Sequence, residues 1–134
     1  MRTLALDIGS VRIGVAVSDP LGIIAQGIGV WRTDDNWRQA LDDCVSKYKP
    51  KTILIGLPVR TTGEIGAEAE HVLNIAKDIQ SSYPDIKVET WDERYTTAIA
   101  EQVLLEADVS RRKRKQKIDK LAAVVILQSW LERE

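Results

Sequence analysis

Cysteine and histidine are almost missing from this chain of 134 residues, which has one of each, Cys44 and His71. A lone thiol leaves no disulfide framework and suits a reducing compartment. A structural zinc site takes about four Cys or His ligands, so this pair cannot build one. A thiol nucleophile would need Cys44 and His71 to meet. Cys44 falls in an amphipathic helical pattern and reads as core, while His71, in Glu-Ala-Glu-His-Val-Leu, reads as a solvated helix residue. Long apolar runs are missing too. The longest, residues 121–127, is too short to span a bilayer, and Leu4-Ala5-Leu6 is too short for a signal segment. The expectation is a cytoplasmic protein without a membrane partner, whose chemistry rests on carboxylates and metal ions.

Excess charge of either sign is also lacking, since the formal net charge is -1. The balance is local. Residues 111–120 hold seven basic side chains against Asp119, a balance of +6, and the remainder holds 12 basic against 19 acidic residues, or -7. Charge runs are commonly solvated faces. Six cations between positions 111 and 117 with no acid among them repel one another, however, and point to a polyanion. Arg111, Arg112, Lys113, Arg114, Lys115 and Lys117 are therefore candidate phosphate contacts, sequence-independent and salt-sensitive.

The length fits one domain over residues 1–134. Thr3–Ile8 and Arg12–Ser18 read as two strands of a hairpin, and residues 23–31 as a third strand weakened by Gly27 and Gly29. Thr33 followed by Asp34 and Asp35 reads as the N-cap of a helix that Pro50 stops. Residues 51–58, rich in Ile and Leu, resemble a strand buried on both faces. A polar loop over 61–66 leads to a helix over 67–81, then a strand over 86–91. Thr96 or Thr97 caps a helix to about Ala107, residues 108–116 form a basic connector, and 117–131 form a last helix lying on the sheet. This order predicts an α/β fold: a mixed five-stranded sheet, three antiparallel strands then parallel ones, with helices on both faces.

Three carboxylates sit at edges of apolar runs, where ionised groups need compensation: Asp7 within the first strand, Glu93 just past a later parallel strand, and Asp119 at the start of the last helix. Carboxyl ends of parallel strands form ligand crevices. Acids that converge there suit two-metal hydrolysis of a phosphodiester, with Mg²⁺ or Mn²⁺ held by carboxylates and water. Bland readings stand beside this one. Asp119 also complements a helix N-terminus, and strand alternation does not decide between Asp92 and Glu93. Asp19 reads as a turn residue. Arg12 beside Asp7 and Arg94 beside Glu93 are further phosphate-contact candidates. Trp31, Trp37, Trp91 and Trp130 read as core, with Tyr95 left as a possible stacking platform.

Four segments occur in order: Asp7-Ile-Gly-Ser-Val-Arg-Ile-Gly-Val-Ala-Val-Ser-Asp19, Ile55-Gly-Leu-Pro58, Trp91-Asp-Glu-Arg-Tyr-Thr-Thr97 and Ser110-Arg-Arg-Lys-Arg-Lys-Gln-Lys-Ile-Asp-Lys-Leu-Ala-Ala123. Together they resemble the YqgF/RuvX family of pre-16S rRNA nucleases and Holliday junction resolvases, within the RNase H-like superfamily. The resemblance spans essentially the whole chain. It implies an RNase H-like fold and two divalent ions on Asp7, Glu93 and Asp119, with Asp7 shared, and it favours Glu93 over Asp92. One departure is visible. Where the family follows Gly-Leu-Pro with an Asn-Met-Asp-Gly-like stretch, this chain has Val59-Arg-Thr-Thr-Gly-Glu-Ile65, matching clearly only at Gly63.

Four functions compete. The first is a nuclease on structured RNA, trimming the 5′ end of precursor 16S ribosomal RNA. A DNA four-way-junction resolvase is second, and it requires a homodimer where the RNA enzyme does not. A catalytically silent RNA-binding ribosome-assembly factor is third. The last is an actin-like or sugar-kinase-like nucleotide-binding domain, disfavoured because such proteins close two lobes over the nucleotide.

Overall fold

The computed structural model describes residues 1–93 and 111–133, with side chains from residue 121 onward in the last helix. Strands β1 (Thr3–Ile8) and β2 (Arg12–Ser18) form the hairpin, with Asp7 opposite Gly14. Their turn depends on Gly9. Its N–H donates to the Arg12 carbonyl at 2.8 Å, and a Cβ there would lie 2.9 Å from that same oxygen. Strand β3 (Ala25–Arg32) pairs antiparallel with β2 through a register shift between Val15 and Ala16.

Helix α1 (Trp37–Tyr48) starts later than Thr33 suggested, because Asn36 is its cap, accepting from the Gln39 N–H. Thr33 is used elsewhere. Its hydroxyl donates to the Ser10 carbonyl at 2.8 Å and its N–H to Val11 at 2.9 Å, tying the end of β3 to the β1–β2 turn. Asp34 does not enter the first helical turn and instead pairs with Arg32 at 2.9 Å. The helix ends on Lys49 in the left-handed region (φ 48°), just before Pro50.

Strand β4 (Thr52–Leu57) runs parallel to β1, helix α2 (Ala67–Ser82) crosses back, and β5 (Lys87–Asp92) runs parallel to β4. The sheet order is β3-β2-β1-β4-β5, the mixed arrangement expected from the sequence. Helix α3 (Arg111–Leu131) corrects one reading. Positions 111–116 are not a connector but helix. Arg, Lys and Gln are strong helix formers, and a continuous helix sets out their charges along its surface more readily than a tight loop would. The helix expected over Thr96 or Thr97 to Ala107 lies outside the described residues.

Strand alternation sorts the core into two layers. Leu4, Leu6, Ile13, Val15, Ile53 and Ile55 meet Leu41 of α1 and Val72, Ala76 and Ile79 of α2. Ala5, Ala16 and Leu54 face Ala123, Ile126 and Leu127 of α3, where the small side chains let the helix lie close. Strand β4 is buried on both faces, as its Ile and Leu content predicted. The rims are guarded differently. At β3 the Gln128 side chain accepts from the Ala25 N–H at 2.9 Å and donates to the Ile23 carbonyl at 3.0 Å, while β5 carries Lys87 and Glu89, 3.5 Å apart.

Candidate active site

Asp7 sits at the carboxyl end of the central strand, on the α3 side of the sheet, two residues beyond buried Ala5. Its antiparallel partner is Gly14, which sets no side chain beside the carboxylate. Glu93 follows β5 directly, and its N–H donates to the Leu57 carbonyl at 3.2 Å, holding it beside the end of β4. The Glu93 side chain lies over Gly56, and its Oε2 is shielded from solvent. A Cβ at Gly56 would collide with that oxygen and would come within 2.7 Å of Ile126 Cδ1. Glycine inside a buried strand commonly marks a close approach of this kind. That requirement explains the Gly of Ile55-Gly-Leu-Pro58, whose role sequence reasoning had not found.

Asp7 and Glu93 are brought together. Burial, the charge of Asp7, a hydrogen bond with Asp7 and the charge of Asp92 push the Glu93 carboxyl up to about 8. Two acids in this relation hold either a proton or a cation between them. Asp92 pairs with Leu57 across the strands and is exposed, while Glu93 turns inward. The pair opens into a cleft of about 350 Å³ that Gly9, Ser10, Pro58, Glu68 and His71 also line. His71 is exposed, as its helical context suggested, yet α2 sets it at this cleft. Local sequence carries no signal for that, because the placement comes from the packing of α2 on the sheet.

The other candidates fall in three groups. Asp119 lies in α3, one helical turn before Ala123, with its side chain outside the described residues. The same holds for Arg111, Arg112, Lys113, Arg114, Lys115 and Lys117, whose backbone forms the first turns of α3. Arg94 and Tyr95 lie outside the described residues altogether. Arg12 begins β2 on the same strand face as Gly14, and so on the Asp7 side of the sheet. Among the described residues no three acids, histidines or cysteines cluster. The Asp7–Glu93 pair itself suits a hard divalent cation, since it offers two buried-edge carboxylates at an open cleft.

Several bland readings hold. Asp19 accepts the N–H groups of Ile23 and Ile24 at 2.6 and 2.8 Å, and these bonds keep its carboxyl below the usual range. Burial pushes the Cys44 thiol up, away from nucleophilic character. Trp31 and Trp37 pack on one core layer, Trp91 and Trp130 on the other. In the atypical loop, Gly63 (φ 88°) donates its N–H to the Arg60 carbonyl at 2.7 Å, a turn that favours glycine.

Comparison with known proteins places these features in context. The family model described as RuvX: Holliday junction resolvase matches residues 1–133. A Halalkalibacterium halodurans protein named "Putative pre-16S rRNA nuclease" is 46% identical over 138 residues, covering 100% of this chain and 98% of the relative. A Clostridium perfringens protein of the same name is 47% identical over 135 residues, covering 99% and 98%. Among solved structures, Fowlpox virus resolvase with Holliday junction DNA superposes at a TM-score of 0.62, with 15% identity and 98% and 97% of the two chains covered. RuvC of T. thermophilus with its junction substrate gives 0.56, with 10% identity and 98% and 96% covered. These two likenesses concern the fold.

Proposed function

The chain belongs to the RuvX family of Holliday junction resolvases, and from that premise we propose that it is a divalent-metal-dependent nuclease of structured RNA that processes the 5′ end of precursor 16S ribosomal RNA. The observation that carries the reading is that Asp7 and Glu93 meet at one cleft, at the carboxyl ends of parallel strands. Relatives across the full length bear the rRNA-nuclease name, and the whole chain acts as one catalytic domain. No helix among the described residues is long and apolar enough to cross a membrane. A cytoplasmic site of action fits ribosome maturation.

Asp7, Glu93 and Asp119 would hold Mg²⁺ or Mn²⁺, as a pair of ions with Asp7 shared. Such ions, when bound, stabilise charge on the phosphoryl oxygens and lower the pKa of the attacking water. The residues themselves do the rest. Gly56 leaves the space in which the Glu93 carboxylate lies beside Asp7. Burial and the charge of Asp7 raise the Glu93 carboxyl, so in the absence of a cation the pair favours a proton over two bare charges in contact. Arg12, Arg94 and the cations of residues 111–117 bind and orient the phosphate backbone.

A DNA four-way-junction resolvase is the second reading, supported by the family description and by the fold shared with junction-bound resolvases. It would act as a homodimer, since two strands must be cut symmetrically. The experiment that separates the readings offers precursor 16S RNA, single-stranded RNA and a DNA four-way junction with Mg²⁺, Mn²⁺ or chelator. Cutting of the precursor alone, abolished in chelator, is the expected result. Cutting of the junction alone would install the second reading. Binding without cutting in every metal would leave only an RNA-binding assembly factor.

A further inference from the structure

Beside the carboxylate cleft lies a second, larger and open cavity of about 520 Å³, bordered by α1, α2 and the β1–β2 turn. The two share Ile8, Gly9, Ser10 and His71, so His71 stands at their common threshold. Trp37 and Arg38 of α1 and Asn74 and Asp78 of α2 line the far part. The volume falls within the range of small-ligand sites. Among the described residues, neither His71 nor Asn74 commits its side chain to a hydrogen bond. The Arg38 guanidinium lies over the Trp37 ring, 4.4 Å from its centroid, and its charge is met by Asp78 at 3.5 Å.

We propose that this cavity is a nucleobase subsite, taking one unpaired base of the substrate strand next to the phosphodiester held at Asp7 and Glu93. The proposal rests on the nuclease reading for what occupies the cleft and extends it to what the enzyme selects. With Arg38 matched by Asp78, the cavity offers no net positive charge to a second phosphate. It offers instead what a base needs: a planar guanidinium–indole pair for its face, and the His71 imidazole and Asn74 amide for its edge. A base stacked within a duplex cannot reach it, because entry requires unstacking. The enzyme therefore favours cleavage beside a nucleotide that is already unpaired, at a single-stranded tail or a branch point.

The test moves a single abasic nucleotide through two probes, an RNA hairpin with a single-stranded 5′ tail and a DNA four-way junction, with binding read by fluorescence anisotropy in Ca²⁺. Wild-type protein is expected to lose roughly 5- to 100-fold in affinity at one abasic position, the worth of one stacked base. Asn74→Trp, which fills the cavity from an exposed helical position, should bind the intact probe that much more weakly. It should bind the abasic probe as wild type does. Arg38→Ala should show the same loss of abasic sensitivity to a smaller extent. Indifference of the wild type to an abasic site at every position overturns the proposal, as does an equal loss by Asn74→Trp on intact and abasic probes. Cleavage in Mg²⁺ is scored separately. Abasic-sensitive binding without cleavage would keep the subsite and remove the nuclease reading, and cleavage without abasic sensitivity would do the reverse.

Discussion

Asp7→Asn keeps volume and removes one charge of the pair, so the fold should survive while metal-dependent cleavage falls by about 10²–10³-fold or more, as when one preorganised charge-stabilising group is removed. Single-turnover rates in saturating Mg²⁺ measure this, and near-wild-type turnover would remove Asp7 from the reaction. Glu93 makes a separate prediction about pH. Its carboxyl is raised to about 8 in the folded protein, against 4.5 as the ordinary value, so between those limits the folded state binds more protons than the unfolded one. Stability of the metal-free protein therefore falls as pH rises through that window. Glu93→Gln cannot titrate and should flatten the fall, which urea midpoints at pH 5 and pH 9 in chelator would show. Gly56→Ala tests the geometry beneath the pair. The added methyl would meet Glu93 Oε2 and Ile126 Cδ1, costing about 1–3 kcal/mol and weakening Mg²⁺ binding in a calorimetric titration. Unchanged stability and unchanged affinity would show that Glu93 does not need the space over β4.

Helix α3 joins the basic run to Asp119 in one continuous element. Replacing Arg112, Lys113, Arg114 and Lys115 with Gln preserves helix propensity and should raise KM or Kd far more than it lowers the chemical rate. The slope of log K against log salt should become shallower by roughly 0.7 to 0.9 for each phosphate no longer neutralised. Unchanged affinity and slope would make the run a solvated helix face. This element was only partly legible in the sequence. Its apolar part, residues 121–127, declares itself by being hydrophobic nearly all round, and it does lie on the sheet. Its beginning does not, because a cationic cluster reads equally as loop or helix when no apolar stripe runs through it. Thr33 misleads for a related reason. A Thr before two acids suits a cap, but the hydroxyl finds carbonyls in the β1–β2 turn, a partnership only tertiary structure supplies. Asp7 and Glu93 were readable as strand-end acids, whereas their coupling depended on Gly56 and on the order of β1, β4 and β5.

For the molecule as a whole, the hairpin, the Ile- and Leu-rich strand β4 and the crossover helices were enough to predict the sheet, since few topologies satisfy right-handed crossovers and short connections. A cation that binds only the folded site should stabilise all of it together. Mg²⁺ at a hundredfold excess over its Kd should add about 2.7 kcal/mol, read as a concentration-dependent rise in Tm that Asp7→Asn abolishes. A Tm indifferent to Mg²⁺ in the wild type would mean that the carboxylates hold no ion. The rims of the sheet bear on self-association. Bare strand edges invite the backbone of another molecule, and charge or a covering side chain deters it. Here Lys87 and Glu89 stud one rim, and Gln128 occupies backbone groups at the other. Among the described residues, two copies therefore gain little by continuing the sheet from one to the next, which leaves the helix faces as the better surfaces for any second subunit.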